Sequence, residues 1–361
     1  MALTIKKGSL FLYYCFDVAH EIKLDEIKKI FGKKPETSQL SYERLTPQYV
    51  QYKVPPLLVR LGKKEINTES FNFDASVKAK LYDFGVVTVV YQFPIKGSMD
   101  ELASLTSELA ENKKLAAMAR EQAVKLVSEL EHFMEGVQPE LKYWEDYIVV
   151  SVKEFDRKLS AQELMSQAST DIAKVLRCET EKLSDAELKN ALKYILSYYE
   201  NELVAVDWQA SFIYDPRQSY DVHDILEYAV IMLLELRAYD SQLDIALDKA
   251  YDDLDRPAGI FTPYAKTLHE LTEVKLDVSE VIDKVTDSLK LIGDLYLAKV
   301  YRAASQRFYL AELQASLNEK LKTIESIYTM LFDKANNRLL VALEAMIVAL
   351  FVLDIALLFA K

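Results

Sequence analysis

The sequence predicts an α+β fold: an N-terminal α/β head with antiparallel strands, then a coiled-coil-like part of long helices that ends in a hydrophobic, transmembrane-type helix. Two observations support this fold class. Strand-like and helical patterns of apolar residues alternate up to about residue 215, and only helical periodicity follows. Between residues 339 and 360, 20 of the 22 residues are apolar, which is the length that a helix needs to cross hydrocarbon. The predicted parts are a head over residues 1–215, a helical stalk over 216–334 and a terminal helix over 335–361.

The strands of the head are predicted from alternation. In residues 75–81, Val77, Ala79 and Leu81 share one face, and Lys78 and Lys80 share the other, solvent-facing one. A turn at Asp83-Phe84-Gly85 then leads into a β-branched and aromatic run, which together predict a hairpin. Further strands are predicted at residues 10–16, 57–61, 147–152 and 203–214, the last as one continuous strand.

Three helices of the head are predicted from capping boxes, in which a serine is followed three residues later by a glutamate. The pairs are Ser98 with Glu101, Ser160 with Glu163, and Ser184 with Glu187. The first helix is predicted to continue for roughly 35 residues, over about 98–135, because its apolar residues keep a 3,4 spacing. Asn112 occupies the one polar position in that stripe.

Beyond residue 221 only helices are predicted. A helix over 221–254 is followed by a break at 256–259, and two heptad stripes then cover residues 268–296 and 310–331. A heptad stripe fits pairing within one chain and pairing between chains equally well. We therefore expect a homo-oligomer formed through helices, and the sequence leaves open which of these helices pair within the chain.

The composition argues against nucleotide and nucleic-acid binding. Only 8 of the 361 residues are glycine, about 2% against a usual ~7%, so glycine-rich phosphate loops are not expected. The net charge of −12 opposes direct contact with nucleic acid. The best basic patch in the sequence is formed by Lys28, Lys29, Lys33 and Lys34.

The sequence shows no pattern of metal ligands or catalytic groups. The four histidines are scattered singly, without a second histidine or cysteine at helical spacing. Cys15 and Cys178 are too few for a disulfide framework, which fits a reducing compartment. We therefore expect no metal, no cofactor and no catalytic residue, and we expect that the chain is not an enzyme.

A short charged run interrupts the otherwise apolar helix at residues 221–254. Glu235 opens it, and Arg237 and Asp240 lie one turn apart, so they can pair on a helix face. The run is either a surface ion pair, contributing less than ~1 kcal/mol, or a fixed contact to the head or to a neighbouring subunit.

The terminal helix carries the strongest functional signal. Five alanines fall within about 60° of one another at 100° per residue, which lets another helix approach closely; they are Ala342, Ala345, Ala349, Ala356 and Ala360. Glu344 and Asp354 lie on roughly the opposite side. A carboxylate near the bilayer centre costs ~2.5 kcal/mol or more, so these acids are expected to face protein or water.

The C-terminal half resembles the family named "required for meiotic nuclear division", which has fungal septum-related and mitochondrial inner-membrane members. The matching positions are Asn318-Glu319-Lys320-Leu321, Tyr328, Arg338 and the run 343–348, together with the hairpin around Tyr82 to Tyr91. The resemblance implies an α/β head, a helical stalk and a terminal membrane anchor, with Asn318 and Glu319 as interaction residues and no catalytic residues. Without a transit peptide, the chain resembles a prokaryotic-type member.

We therefore expect a membrane-tethered, self-associating scaffold or adaptor with a single-pass C-terminal anchor and the bulk of the chain in the cytoplasm. Two alternatives stay open. The chain could be an enzyme with a cryptic site between the head and the helices. It could also be a soluble oligomeric bundle that buries the terminal helix, with Glu344 and Asp354 paired to Arg302 or Arg307.

Overall fold

The computed structural model of the chain describes residues 3–31, 41–44, 54–138, 140–217, 220–255, 275–276, 278–279 and 294–359. Within these ranges the chain forms a mixed β-sheet with covering helices, followed by long helices of which the last is apolar. The predicted fold class is confirmed.

Eleven strands are described: β1 (Thr4–Asp17), β2 (Glu21–Ile22), β3 (Ser41–Arg44), β4 (Leu57–Asn67), β5 (Asn72–Leu81), β6 (Val86–Ser98), β7 (Met134–Glu135), β8 (Trp144–Phe155), β9 (Ile195–Leu196), β10 (Leu203–Val206) and β11 (Ala210–Tyr214). Eight α-helices are described: α1 (Leu24–Phe31), α2 (Met99–Ala110), α3 (Lys113–Leu130), α4 (Ala161–Arg177), α5 (Asp185–Ala191), α6 (Asp221–Asp255), α7 (Leu295–Arg307) and α8 (Leu310–Phe359).

Nine strands form one sheet in the order β3-β4-β5-β6-β1-β8-β11-β10-β9, and β2 pairs with β7 separately. Neighbours in the large sheet are antiparallel except β8 and β11, which run parallel. Alternate residues of β1 point to opposite faces: Leu12, Tyr14 and Phe16 enter the core that contains the apolar faces of α2, α3 and α4. Tyr13 and Cys15 point to the other face, on which the first half of α6 lies.

The predicted hairpin is confirmed as β5 and β6, with residues 82–85 between them. Gly85 has a φ of +89°, a conformation that glycine adopts without a steric penalty. Its carbonyl accepts hydrogen bonds from the backbone N–H groups of Val18 (2.9 Å) and Ala19 (3.2 Å). The hairpin turn is therefore fastened to the segment that follows β1.

The predicted single strand at 203–214 is wrong, because the chain turns back at residues 207–209 and forms two antiparallel strands, β10 and β11. Asp207 is completely buried, and its side chain accepts a hydrogen bond from the backbone N–H of Trp208 at 2.7 Å. Every residue of both strands is buried. The sequence is therefore largely apolar on both faces of each strand, and no change in its pattern indicates where the chain turns.

The predicted helix over about 98–135 is also interrupted. It divides at Glu111 and Asn112 into α2 and α3, and the side chain of Asn112 caps α3 by accepting a hydrogen bond from Leu115 N at 2.9 Å. Asparagine is a preferred N-cap residue because its oxygen satisfies a free N–H of the first turn. Ser98 and Ser160 form complete capping boxes. Ser184 accepts from Glu187 N and caps α5.

Replacing Asn112 by alanine is expected to lower the free energy of unfolding by about 1 kcal/mol, the usual cost of a lost N-cap. Urea denaturation followed by circular dichroism measures it. Lys114→Ala, an exposed substitution in the same turn, is the control and should change little. Equal stability of wild type and Asn112→Ala would show that the helix break does not depend on the cap.

Two compact units are present. Unit 1 contains residues Met1–Glu235 and Val285–Ala311, and unit 2 contains Leu236–Lys284 and Glu312–Lys361. These units are defined by contacts between residues, whereas the predicted boundaries at 215 and 334 were placed where the sequence periodicity changes. The unit boundary after Glu235 lies inside α6, so this helix contributes residues to both units.

In unit 2, the second half of α6 and the first half of α8 pair within the chain. Lys320 on α8 lies 2.8 Å from Asp240 on α6, and the Tyr328 hydroxyl lies 3.3 Å from an oxygen of Asp253. The buried apolar positions in this part of α8 form a heptad seam: Leu317, Leu321, Ile324, Tyr328 and Leu331. Most of the other predicted stripe, 268–296, lies outside the described residues; within it Val278 is buried.

Candidate functional site

The most unusual surface of the described chain is the end of α8, residues 339–357, here called the anchor segment. Its large apolar side chains are exposed; Leu340 is 58% and Phe351 65% accessible. By length and composition, α8 is the one described helix that could cross a membrane, and no residue in its most apolar stretch is buried. An exposed apolar surface of this extent marks a site for lipid or for another protein.

One face of the anchor segment carries small residues. Ala342, Ala345, Ala349 and Ala356 lie on it, and the predicted fifth member, Ala360, is outside the described residues. These alanines continue the 3,4 spacing of the seam that α8 buries in unit 2. The helix face that packs within the chain up to Leu331 therefore continues into the anchor segment, where its side chains become small.

The opposite face carries the two acids. Glu344 and Asp354 are exposed, and they share one 3,4-spaced stripe with Leu340, Ile347 and Phe351. Arg307, which the soluble-bundle alternative offered as a partner for these acids, is buried and bound to Asp207 instead.

A polar collar separates the seam from the anchor segment. It consists of residues 333–338, of which Asp333, Lys334, Asn336 and Asn337 are exposed. A cluster of polar side chains directly before an apolar stretch is typical of the point at which a helix enters the bilayer interface.

In unit 1, a buried polar network joins the hairpin to the first half of α6. The Lys80 ammonium lies 2.8 Å from Asp224 Oδ1 and also contacts Glu227, whose side chain is completely buried. The Tyr82 hydroxyl donates a hydrogen bond to the other oxygen of Glu227 at 2.9 Å. Lys80 was predicted to face solvent; this is wrong, because α6 covers that face of the hairpin.

Burial and charge set the protonation of this network. Burial disfavours the charged form of Lys80, but the carboxylates of Asp224 and Glu227 outweigh it and raise the pKa of the ammonium. Burial lowers the pKa of His223 to about 4, so its imidazole is neutral, 3.5 Å from the Tyr13 hydroxyl. Through these contacts the network holds the first half of α6 on the sheet.

A second buried charge cluster surrounds Asp207 at the β10–β11 turn. Its carboxylate contacts the guanidinium groups of Arg177, at the end of α4 (3.1 Å), and of Arg307, at the end of α7. Arg177 also pairs with Glu187 on α5, and Arg307 donates to the side chain of Asn190 at 3.1 Å. Asp207 thus connects α4 with α7, and its two arginines connect both helices with α5.

An open cleft of about 670 Å³ lies between the sheet and the start of α3. Its floor is aromatic: Trp144 stacks on Phe16 with 6.4 Å between ring centroids and lies 6.3 Å from the ring of Tyr14. Arg120 and Asp146 line its rim, and Arg120 donates a hydrogen bond to the backbone carbonyl of Leu141 at 2.9 Å. The cleft is large enough for a planar small molecule.

The predicted interaction residues fall in different environments. Glu235 is buried on α6, Arg237 is exposed, and Asp240 is bound by Lys320 within unit 2. Asn318 and Glu319 are exposed on α8. Of the predicted basic patch, Lys33 and Lys34 are outside the described residues.

The two buried clusters are the features that sequence reasoning missed. Asp224 and Glu227, three residues apart in an apolar helix, were a signal that a cation lies opposite them. Asp207 gave no such signal, because its two arginines lie 30 and 100 residues away. In the described ranges, no group of three His, Cys, Asp or Glu side chains is placed to hold a metal ion.

Comparison with known proteins places the head in a family. The model of the family described as "Uncharacterized protein MJ0711, N-terminal domain" matches residues 7–221. The protein of that name from Methanocaldococcus jannaschii is 27% identical over 221 residues, which are 61% of this chain and 67% of that protein. No solved structure matches. The family description does not mention meiotic nuclear division, so that resemblance stays a prediction.

Proposed function

We propose that this chain, which belongs to the MJ0711 N-terminal domain family, is a membrane-tethered, self-associating adaptor. The anchor segment inserts in the bilayer, the bulk of the chain lies in the cytoplasm, and the α/β head is presented to protein partners. The resemblance to the family required for meiotic nuclear division has the same implication.

The exposure of the anchor segment carries this proposal. Transfer of apolar surface out of water is favourable by about 25 cal/mol per Å², and the side chains of residues 343–357 are all exposed. The segment follows a polar collar and is long enough to cross hydrocarbon. A bilayer covers apolar side chains on every side of the segment at once, which a single protein groove cannot do.

The alanine face supports self-association. In lipid, helices associate through close packing of small residues rather than through the hydrophobic effect. Because this face continues the buried seam of α8, a second copy can pair with it in the same heptad register.

The head offers a surface suited to protein partners. Tyr198 and Tyr199 are 62% and 44% exposed and lie at right angles to each other, and the Arg217 guanidinium stacks 3.8 Å from the centre of the Tyr199 ring. Tyrosine and arginine are enriched among residues that dominate protein–protein binding energy. This patch, at the β9 end of the sheet, supports the adaptor role.

The aromatic cleft favours one other function, binding of a planar small molecule by the head, as in an enzyme. Such a site is expected to bind ligand equally well with or without the anchor segment. Screening of small aromatic compounds by thermal shift on the full-length chain tests it, with Trp144→Ala as the variant that removes the stacking surface.

Full-length protein is expected to float with phosphatidylcholine vesicles and to resist extraction with alkaline carbonate, whereas a chain that ends at Lys334 is expected to do neither. The truncated chain retains the seam up to Leu331, and a thermal melt by circular dichroism checks that it is folded. If both chains stay in the soluble fraction, the terminal helix is covered by protein and the soluble-bundle alternative is correct.

A further inference from the structure

The acid face of the anchor segment is not explained by a bilayer or by a second copy of the chain. Glu344 and Asp354 lie about 15 Å apart along the helix axis, at 1.5 Å per residue. The first is roughly 8 Å and the second roughly 22 Å from the start of the segment, so both fall within a hydrocarbon core of about 30 Å. Ionisable groups at that depth are rare, and they pair with other polar groups.

A homo-oligomer packed through the alanine face gives Glu344 and Asp354 no polar partner. The acids lie on the opposite side of the helix and point away from such a contact. No basic residue occurs between Arg338 and Lys361, so another copy offers no cation at the depth of either carboxylate.

We propose that the acid face binds a transmembrane helix of a different protein, one that carries lysine or arginine side chains at the depths of Glu344 and Asp354. This inference rests on the proposed membrane anchor. The two faces then have separate occupants: the alanine face takes a copy of this chain, and the acid face takes the basic helix.

The geometry of the stripe fits such a partner. Leu340, Ile347 and Phe351 stand between and beside the acids in 3,4 spacing, so a neighbouring helix packs against them along its length. These apolar side chains keep water and lipid headgroups away from the charge pairs. Attraction between opposite charges is much stronger in such an environment than in water. Two charge pairs at a fixed separation also make the binding selective. A helix without lysine or arginine at matching positions leaves the carboxylates unpaired.

Association with synthetic membrane peptides tests the proposal. The full-length protein, labelled at its N-terminus with a fluorescence donor, is reconstituted in phosphatidylcholine vesicles with an acceptor-labelled peptide of leucine and alanine about 20 residues long. One peptide carries two lysines at the spacing of Glu344 and Asp354, and its control carries leucine there. We expect energy transfer with the lysine peptide alone.

Matched variants test whether the lysine peptide binds to the acid face of the anchor segment. Glu344→Gln with Asp354→Asn keeps the size of both side chains and removes their charge, and it is expected to weaken binding of the lysine peptide about tenfold or more. Val348→Leu, an exposed position that belongs to neither stripe, is expected to leave that binding unchanged. Equal transfer with both peptides, or equal binding by wild type and the amide variant, overturns the proposal while the anchor stands. If the full-length chain does not float with the vesicles, the anchor fails, and this inference fails with it.

Discussion

Lys80→Met is expected to lower the free energy of unfolding by about 3–5 kcal/mol, the usual cost of removing one partner of a buried ion pair. The substitution leaves Glu227, which is completely buried, and Asp224 without their common cation. The Tyr82 hydroxyl remains as a hydrogen-bond donor to Glu227, but it does not neutralise the charge. Denaturation in guanidinium chloride at pH 7 measures the loss.

Two further variants control this experiment. Lys63→Met changes an exposed lysine on β4 and should alter stability little. In the double variant Lys80→Met with Glu227→Leu, the buried charge is removed together with its partner, so much of the lost stability is expected to return. If Lys80→Met loses less than about 1 kcal/mol, the network does not hold α6 on the sheet in the way its geometry indicates.

Asp207→Ala is expected to cost a similar amount, about 3–5 kcal/mol, because it leaves two guanidinium groups facing an uncharged turn. Arg307 is the more affected, since it keeps a hydrogen bond to the neutral side chain of Asn190, while Arg177 keeps its ion pair with Glu187. Chemical denaturation measures the loss in the free energy of unfolding. Amide hydrogen exchange shows which element is loosened, and the amides of α7 should exchange faster than in the wild type.

The matched control for Asp207 is Asp156→Ala, which changes an exposed aspartate after β8 and should leave both stability and exchange nearly unchanged. Unchanged exchange in α7 of the Asp207 variant would show that this helix is held by its apolar contacts alone, such as the packing of Phe308 against the ring of Tyr147.

Local signals predicted much of the fold. The hairpin of β5 and β6, the strand β8 and the starts of α2, α4 and α5 follow from alternation and from capping residues that act within three or four positions. The anchor segment was predicted by composition alone, because a long apolar stretch is a property of the sequence and not of its environment.

Features that depend on distant parts of the chain were not predictable in the same way. The alternation of β5 placed Lys80 on the hydrophilic face correctly, but it carried no information that a helix more than 140 residues later covers this face. The turn at Asp207 was hidden because both flanking strands are buried on both faces. Asn112 was interpreted as a polar position in a continuous stripe, although the same residue type is a strong N-cap.

The helix α8 has no glycine or proline anywhere in its 50 residues, and these residues are the usual causes of a sharp kink. It is therefore a stiff rod about 75 Å long that joins the seam of unit 2 to the anchor segment with no hinge between them. Any rotation of the anchor segment about the helix axis would therefore be transmitted along α8 as torque. It reaches Tyr328 and Lys320, whose contacts with α6 depend on the angular position of α8.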